Sequence, residues 1–217
     1  MRIDIYSDTI CPWCFIGKRR LERALIEQPQ PDIDFTWRTF QLNPDMPAEG
    51  MARERYLSLK FGGPVGAKRV YDPVRQAGQE EGIAFAFDQM TRTPNTLASH
   101  RLIRKAGELD CQTEVVQALF DAYFLKAEDI GEIDVLVRAA VAGGLNEDSI
   151  RGYLESDEDL AAVREEDAEA RRIGIQGVPT YILNGKYVLS GAHPPEVLHQ
   201  MFELGRQDDS TEVEAEA

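Results

Sequence analysis

Two cysteines separated by two residues, Cys11 and Cys14, constrain this chain more than any other feature. They follow residues 2–6, whose pattern predicts a β-strand, and they begin residues 12–27, whose apolar spacing predicts a helix. A thiol at the start of a helix lies near unpaired backbone N–H groups and the positive end of the helix dipole, and both stabilise a thiolate. The placement therefore predicts a redox-active dithiol at a strand-to-helix junction.

The two thiols are expected to have different roles. Cys11, at the helix start, is the predicted nucleophile. Cys14 lies close to one helical turn further on, so it can attack a mixed disulfide on Cys11 and release the partner. Pro12 suits the first helical turn because its missing N–H is no loss there, and Trp13 is a bulky residue beside the thiols. We therefore predict Cys11 and Cys14 as catalytic residues and Pro12 and Trp13 as substrate-binding residues.

A structural zinc site and a pair of inert thiols are the alternatives. Zinc needs four ligands, and the chain offers one further cysteine, Cys111, with His100, His193 and His199 scattered far away. A C-x-x-C motif beside a strand-to-helix pattern is more typical of redox chemistry, so no metal is predicted. Cys111 is solitary, and we expect no catalytic role for it.

A second feature lies far along the chain, where residues 177–183 read Gly-Val-Pro-Thr-Tyr-Ile-Leu and an Asn-Gly pair follows. The Asn-Gly pair between two apolar segments predicts a hairpin over residues 179–189. An X-Pro bond is the ordinary place for a cis peptide, which makes Val178–Pro179 a candidate. A trans proline that merely begins a strand is the alternative.

These features resemble the thioredoxin superfamily and, within it, the FrnE-type branch of the DsbA-like family. The resemblance is carried by four stretches: Ser-Asp-Thr-Ile-Cys-Pro-Trp-Cys at 7–14, Phe-Gln-Leu-Asn-Pro-Asp-Met-Pro at 40–47, Asn-Thr-Leu-Ala-Ser-His-Arg at 95–101, and Gly-Val-Pro-Thr running on to 192. It implies an α/β thioredoxin fold with a large helical insertion. It also implies a cis Pro179 packed against the dithiol, backbone hydrogen bonds from Val178 to a bound thiol, and a cleft lined by Asn95 and Arg101.

The same broad family has a glutathione-dependent branch, which includes 2-hydroxychromene-2-carboxylate isomerases and kappa-class glutathione transferases. There the position matching Cys11 is typically serine, which activates a glutathione thiol but forms no disulfide. Two cysteines therefore favour thiol-disulfide exchange, and a glutathione-dependent isomerase or transferase is the alternative. A redox-sensing or holdase-like module that binds unfolded chains is a third interpretation. No cofactor is expected, with glutathione as an optional co-substrate.

The charge balance bears on the partners. Against 24 basic residues the chain carries 38 acidic ones, and the net charge of −14 repels nucleic acid and anionic membrane surfaces. No apolar segment approaches membrane-spanning length, and the first predicted strand begins within two residues of Met1, without the pattern of a signal peptide. We therefore expect a cytoplasmic monomer or homodimer that acts on thiol or disulfide substrate proteins or on small thiols.

The predicted elements divide the chain into four parts. Residues 1–43 contain the first strand, the helix and a second strand over residues 33–40, which together form the N-terminal part of the thioredoxin fold. Residues 44–165 form the helical insertion, residues 166–205 the C-terminal part, and residues 206–217 an acidic disordered tail.

The insertion is predicted to be helical throughout, with helices at residues 51–61, 65–81, 96–107, 114–125, 133–142 and 147–154. Asn95 is a candidate N-cap, which is the alternative to a site role for this residue. Ser156 is expected to cap the next helix, which reaches Ile173. The final helix is expected over residues 195–204.

Overall fold

The computed structural model describes the backbone of residues 1–215 and the side chains of residues 1–208. Its strands are β1 (Arg2–Ser7), β2 (Asp34–Thr39), β3 (Met51–Ala52), β4 (Arg92–Thr93), β5 (Thr180–Leu183) and β6 (Tyr187–Ser190). Four of them form a sheet in the order β2-β1-β5-β6. β1 pairs in parallel with β2 and antiparallel with β5, which pairs antiparallel with β6.

The helices of the described residues are α1 (Pro12–Glu27), α2 (Arg53–Phe61), α3 (Pro64–Glu80), α4 (Leu97–Gly107), α5 (Gln112–Phe120), α6 (Ile133–Ala142), α7 (Glu147–Glu155), α8 (Leu160–Arg172) and α9 (Pro195–Ala215). α1 connects the parallel strands β1 and β2, and the chain from α2 to α8 lies between β2 and β5. This is an α/β thioredoxin fold interrupted by a large helical insertion, as the sequence predicts.

One hydrophobic core joins the sheet to the insertion. Ile3 and Ile5 of β1 and Phe15 of α1 belong to the same buried cluster as Leu119 and Phe120 of α5. Phe15 stacks on Phe120 with the ring centroids 5.1 Å apart. Phe15 follows Cys14 and contacts a residue of the insertion, so the insertion packs directly against the start of α1.

The predicted hairpin is present as β5 and β6. Asn184 and Gly185 at its turn both have positive φ, 51° and 68°, which is the backbone that an Asn-Gly turn favours. The Asn184 side-chain oxygen accepts the Arg2 backbone N–H at 2.9 Å, so the turn is also attached to β1.

The prediction that Ser156 caps the helix leading back to the sheet is wrong. Ser156 ends α7, and α8 begins only after Asp159, which has a φ of +62°. The local capping pattern is overridden because the carbonyl groups of this connection accept hydrogen bonds from Arg101. The boundary predicted at 165/166 falls inside α8, and the division into domains stays a prediction.

Three other elements differ from the predicted helices. The helix predicted over residues 114–125 ends at Phe120 and continues as a π-helical turn, Asp121–Leu125. β3 and β4 form a two-residue antiparallel ladder inside the insertion, and a 3-10 turn covers Phe87–Gln89. Such short pieces depend on partners far along the chain and leave no periodic pattern in the sequence.

The final helix extends beyond the predicted end at residue 204. α9 continues to Ala215, and the Asp208 carboxylate on it accepts hydrogen bonds from Lys186 at 2.7 Å and from the Tyr187 hydroxyl at 3.0 Å. These contacts attach the helix to the hairpin. The tail predicted to be disordered covers residues 206–217. The side chains of residues 209–217 and the backbone of residues 216–217 lie outside the described part, and the backbone of residues 206–215 belongs to α9. No helix in the described part combines the length and apolar character needed to cross a bilayer.

Candidate active site

The loop after β1 places the dithiol at the start of α1. Cys11 is the N-cap residue, with φ −88° and ψ 111°, and Pro12 occupies the first turn. The Cys11 N–H donates to the Asp8 carbonyl at 3.0 Å, and its own carbonyl accepts the Cys14 N–H at 3.0 Å. Both cysteines are free thiols, and only 4% of Cys11 and 1% of Cys14 is exposed. The two sulfur atoms therefore share one buried helical turn.

The protonation of Cys14 depends on Cys11. Burial raises the pKa of the Cys14 thiol well above its ordinary value, and a hydrogen bond to Cys11 and the negative charge of Cys11 raise it further. Contacts with the Ser7 side chain and the Asp8 backbone act in the opposite direction without outweighing burial. Cys14 therefore keeps its proton and offers it to Cys11 as a hydrogen-bond donor.

The loop before β5 faces the dithiol. The Val178–Pro179 peptide is cis, and the Cys11 thiol donates to the Val178 carbonyl oxygen at 3.5 Å. α1 approaches this loop closely at Gly17, where a Cβ atom would lie 2.5 Å from the Tyr181 hydroxyl oxygen and 3.0 Å from Pro179 Cγ. Glycine is therefore required for the observed distance between the helix and the proline loop.

Pro12 and Trp13 lie on the first turn of α1 and are half-buried. The structure thus keeps four of the predicted site residues, Cys11, Cys14, Pro12 and Trp13, on one turn, and it brings Val178 and Pro179 to the same place. The sequence separation between the two groups exceeds 160 residues. Contact of these residues with a substrate stays a prediction.

Asn95 and Arg101 lie elsewhere. The Asn95 side chain accepts the Leu97 N–H at 2.9 Å and donates to the Met46 carbonyl at 2.6 Å, but the N-cap residue of α4 is Thr96, so the alternative that made Asn95 the N-cap is wrong by one residue. Arg101 is buried and directs four of its N–H groups at the carbonyl oxygens of residues 153, 154, 156 and 158. Both side chains hold neighbouring backbone groups, and contact of either residue with a substrate stays a prediction.

A buried contact that the sequence did not predict lies beneath the dithiol loop. Asp8 and His100 are 0% and 2% exposed, and Asp8 Oδ1 lies 3.4 Å from His100 Nε2. The other carboxylate oxygen of Asp8 accepts the Leu42 N–H at 2.6 Å. The position of Asp8 three residues before Cys11 was visible in the sequence, but no local pattern indicates that His100 on α4 meets it.

The remaining cysteine and histidines are separated from the dithiol. The Cys111 thiol donates to the Ala106 carbonyl at 3.6 Å, while Nε2 of His193 lies 2.9 Å from the Ser190 carbonyl oxygen and Nε2 of His199 lies 3.0 Å from that of Ala24. Among the residues with described side chains, no three His, Cys, Asp or Glu side chains are grouped in a way that would hold a metal ion.

Comparison with known proteins agrees with this geometry. A family model described as the DSBA-like thioredoxin domain matches residues 2–203. The chain belongs to this family. It is similar to a probable DsbA oxidoreductase, SCO1869 from Streptomyces coelicolor, with 29% identity and a TM-score of 0.86 over 95% of this chain and 90% of that one. The resemblance drawn from the sequence motifs is thereby confirmed at the level of the DsbA-like family, and the FrnE-type branch stays a prediction.

Two more distant structures share the fold. One is a 2-hydroxychromene-2-carboxylate isomerase, with 17% identity and a TM-score of 0.72 over 97% of this chain and 99% of that one. The other is the cytosolic disulfide reductase DsbM from Pseudomonas aeruginosa, with 18% identity and a TM-score of 0.68 over 94% and 100%. DsbM has also been solved with GSH. This DsbA-like chain therefore lies among enzymes named as oxidoreductases and isomerases.

Proposed function

We propose that this protein is a thiol-disulfide oxidoreductase in which Cys11 is the nucleophile and Cys14 the resolving thiol. One observation carries the proposal: Cys11 caps α1 with its sulfur 3.5 Å from the Val178 carbonyl, while Cys14, one turn on, retains its proton as a hydrogen-bond donor to Cys11. In this arrangement Cys11 is a thiol that donates to the Val178 carbonyl, and it becomes the attacking thiolate when it gives up that proton, while Cys14 stays protonated.

The chemistry proceeds in two exchanges. The Cys11 thiolate attacks one sulfur of a substrate disulfide, and the other sulfur leaves as a thiolate, which creates a mixed disulfide. Cys14 then loses its proton and attacks the Cys11 sulfur, which releases the second substrate thiolate and forms the Cys11–Cys14 disulfide. Two electrons pass from the dithiol to the substrate, and the same steps in reverse oxidise a substrate dithiol.

The proline loop and the first turn of α1 are proposed to hold the substrate. The Val178 carbonyl lies beside the Cys11 sulfur, so a chain bound in a mixed disulfide at Cys11 lies along residues 178–179. Trp13 is half-buried beside the same sulfur and offers an apolar contact for the substrate. The substrates are thiol or disulfide proteins or small thiols, and a cytoplasmic location stays a prediction.

The first experiment measures the fraction of Cys11–Cys14 disulfide across a series of glutathione redox buffers, in a Cys111→Ser background, by alkylation and mass. We expect a single two-electron transition. A midpoint near about −270 mV indicates a reductant, and one near about −120 mV an oxidant. Absence of an intramolecular disulfide at every buffer composition contradicts the proposal.

Alkylation tests the division of roles between the thiols. Because burial and Cys11 raise the pKa of Cys14, iodoacetamide between about pH 6 and pH 8 is expected to modify Cys11 and spare Cys14 in the Cys111→Ser background. A Cys14→Ser variant is expected to accumulate mixed disulfides with substrates, and Cys11→Ser serves as the matched control that traps none. Equal alkylation of both cysteines would show that the roles are not divided in this way.

A glutathione-dependent isomerase or transferase is the alternative function. The likeness to the 2-hydroxychromene-2-carboxylate isomerase concerns the fold, whereas the presence of GSH in a DsbM structure makes glutathione a reasonable co-substrate to test. Saturable glutathione binding together with an activity that survives Cys14→Ser favours this alternative, because a single thiol or hydroxyl can activate glutathione without forming a disulfide.

A further inference from the structure

Arg53, the first residue of α2, is a buried cation that has no carboxylate partner among the described side chains. Only 8% of the residue is exposed, and its guanidinium donates to the hydroxyls of Tyr71 at 2.7 Å, Thr93 at 3.2 Å and Tyr123 at 3.4 Å. All three acceptors are neutral, and within residues 1–208 the Arg53 Nε–H has no hydrogen-bond partner. A buried charge surrounded by neutral groups is costly, so an anion that reaches this guanidinium is stabilised.

Arg53 lines a cavity of about 350 Å³ between α2, α3 and the 3-10 turn. The lining contains two carboxylates, and both are already engaged: Asp72 pairs with Lys68, and Asp88 pairs with Arg75 at 2.6 Å. Three cations and two carboxylates leave one positive charge over. Among the described side chains of this cavity, Arg53 is the cation whose charge stays uncompensated.

An aromatic row leads from this cavity to the dithiol turn. The Tyr71 and Phe87 rings of the cavity wall lie 4.6 Å apart, and Phe87 stacks on Phe85 at 4.6 Å. Phe85 meets the edge of Phe15 at 6.2 Å, and Phe15 is the residue after Cys14. The cavity therefore lies within a few side chains of the reactive sulfurs.

The electrostatics of Tyr71 agree with this position. Burial raises the pKa of Tyr71, the Arg53 guanidinium lowers it, and negative charge on Cys11 raises it. Tyr71 is therefore within electrostatic range of both the free cation and the nucleophile. A group bound between them experiences both charges.

Asp8 is the other carboxylate of this neighbourhood. Burial is the main cause that raises the pKa of Tyr56, and the negative charge of Asp8 raises it slightly further. Asp8 therefore lies within electrostatic range of the Tyr56 hydroxyl. One of its oxygens accepts the Leu42 N–H, and the other lies 3.4 Å from His100 Nε2 without a hydrogen-bond partner within residues 1–208. Among these residues no salt bridge joins Asp8 to Arg53.

We propose that this cavity binds a carboxylate of the substrate next to the dithiol, so that the protein acts on small disulfides or thiols that bear a carboxylate. The inference rests on the proposed function, because it requires Cys11 and Cys14 to exchange with the bound disulfide. A carboxylate seated on Arg53 lies at the cavity end of the buried aromatic row, and the dithiol turn lies at its other end.

Two aromatic disulfides of different charge test the proposal: 5,5′-dithiobis(2-nitrobenzoate), which carries carboxylates, and neutral 4,4′-dithiodipyridine. The Cys11 thiolate attacks either probe and releases one aryl thiolate. Cys14 then gives up its proton to solvent, attacks Cys11 and releases the second aryl thiolate, so the dithiol loses two electrons and the probe gains them. The release of aryl thiolate is followed by stopped-flow absorbance in the Cys111→Ser background.

The readout is the ratio of the carboxylate-probe rate to the neutral-probe rate. Arg53→Gln is expected to lower this ratio about tenfold or more, because a charged hydrogen bond is lost from a buried site. Arg55→Gln is the matched control, since Arg55 is exposed on the same helix and lies outside the cavity lining, and it should change the ratio less than about twofold. Arg53→Lys keeps the positive charge, so the ratio of the two probe rates should stay close to that of the protein with Arg53.

A measurement on the protein with Arg53 intact covers the case in which Arg53→Gln fails to fold. Benzoate is expected to slow the reaction with the carboxylate probe in a saturable manner, whereas benzamide, of the same shape without the charge, and sodium chloride at equal ionic strength should not. An unchanged ratio in Arg53→Gln, an equal effect of Arg55→Gln, or no difference between benzoate and benzamide overturns the carboxylate site alone. Failure of the neutral probe to form the Cys11–Cys14 disulfide removes the proposed function and this inference with it.

Discussion

The insertion buries two arginines in opposite surroundings, one at the α7–α8 corner and one at the start of α2. Arg101 is 3% exposed, and the carbonyl oxygens of residues 153, 154, 156 and 158 accept four of its N–H groups. Arg53 is 8% exposed, donates to three hydroxyls, and within residues 1–208 leaves Nε unpartnered beside a cavity.

Arg101 stabilises the connection between two helices, whereas Arg53 is available to a ligand. Backbone carbonyls satisfy the Arg101 guanidinium, close the connection between α7 and α8, and leave it no capacity for a substrate. Hydroxyls satisfy Arg53 only in part, because within residues 1–208 its Nε–H has no acceptor. Burial of a charged residue alone therefore does not indicate a site, whereas burial with incomplete pairing next to a cavity does.

The largest expected effect is on stability at the Arg101 corner. Arg101→Met removes four charged hydrogen bonds to backbone carbonyls at this corner, and we expect the free energy of unfolding to fall by about 3 kcal/mol or more, measured by urea denaturation. Arg104→Gln is the control one turn further along α4, where a half-exposed side chain pairs with Asp159, and it should cost less than about 1 kcal/mol. A folded Arg101→Met protein that has lost disulfide exchange would place Arg101 in the site and break the comparison.

A smaller effect is expected from ligand binding at the Arg53 cavity. Benzoate at ten times its dissociation constant should stabilise the protein by about 1.4 kcal/mol through mass action, as measured by the urea midpoint at fixed ionic strength. The stabilisation should persist in Arg55→Gln and vanish in Arg53→Gln. Stabilisation that survives Arg53→Gln would mean that benzoate binds at another place.

The smallest effect is expected from single hydroxyls next to each arginine. Tyr71→Phe removes the hydroxyl that accepts the shortest hydrogen bond of Arg53. We expect it to lower the free energy of unfolding by about 1 kcal/mol. Tyr153→Phe, at the other corner, removes the one hydroxyl proton that lies between two acceptors, the Arg101 carbonyl at 2.9 Å and the Asp159 carboxylate at 3.0 Å. We expect it to lower the free energy of unfolding by more than Tyr71→Phe does, because it leaves a buried carbonyl and a carboxylate without this donor. Equal costs in the two variants, measured under the same denaturation conditions, would show that the two corners are satisfied to the same degree.

The thioredoxin half of the fold was predictable because its signals are local. The strand before Cys11, the helix after it and the Asn184-Gly185 turn each depend on neighbouring residues, and each is present. The DsbA-like family followed from the motifs around these elements. Within the insertion, helices were predicted from apolar spacing, and the errors fall where a distant residue intervenes, as Arg101 does at Ser156.

The candidate site was predictable only in part. The sequence placed the two thiols and the proline loop. It gave no indication that Arg101 donates to backbone carbonyls and that Asn95 bonds to the Leu97 N–H, and the cleft role of these two residues stays a prediction. It offered no indication of Arg53, because an arginine at the start of a helix is normally exposed. Its significance depends on which hydroxyls surround it and on the cavity beside it.

By itself, the sequence determined that a dithiol begins a helix after a strand and that a Gly-Val-Pro segment leads into a hairpin, since both follow from residue types at short spacing. The tertiary structure decided which polar groups meet. Asp8 reaches His100, Cys11 reaches Val178, and Arg53 reaches Tyr71 and Tyr123 across the shared core. Such contacts arise from the packing of the insertion and the proline loop against α1, and a periodic pattern along the chain carries no information about side chains that packing brings together.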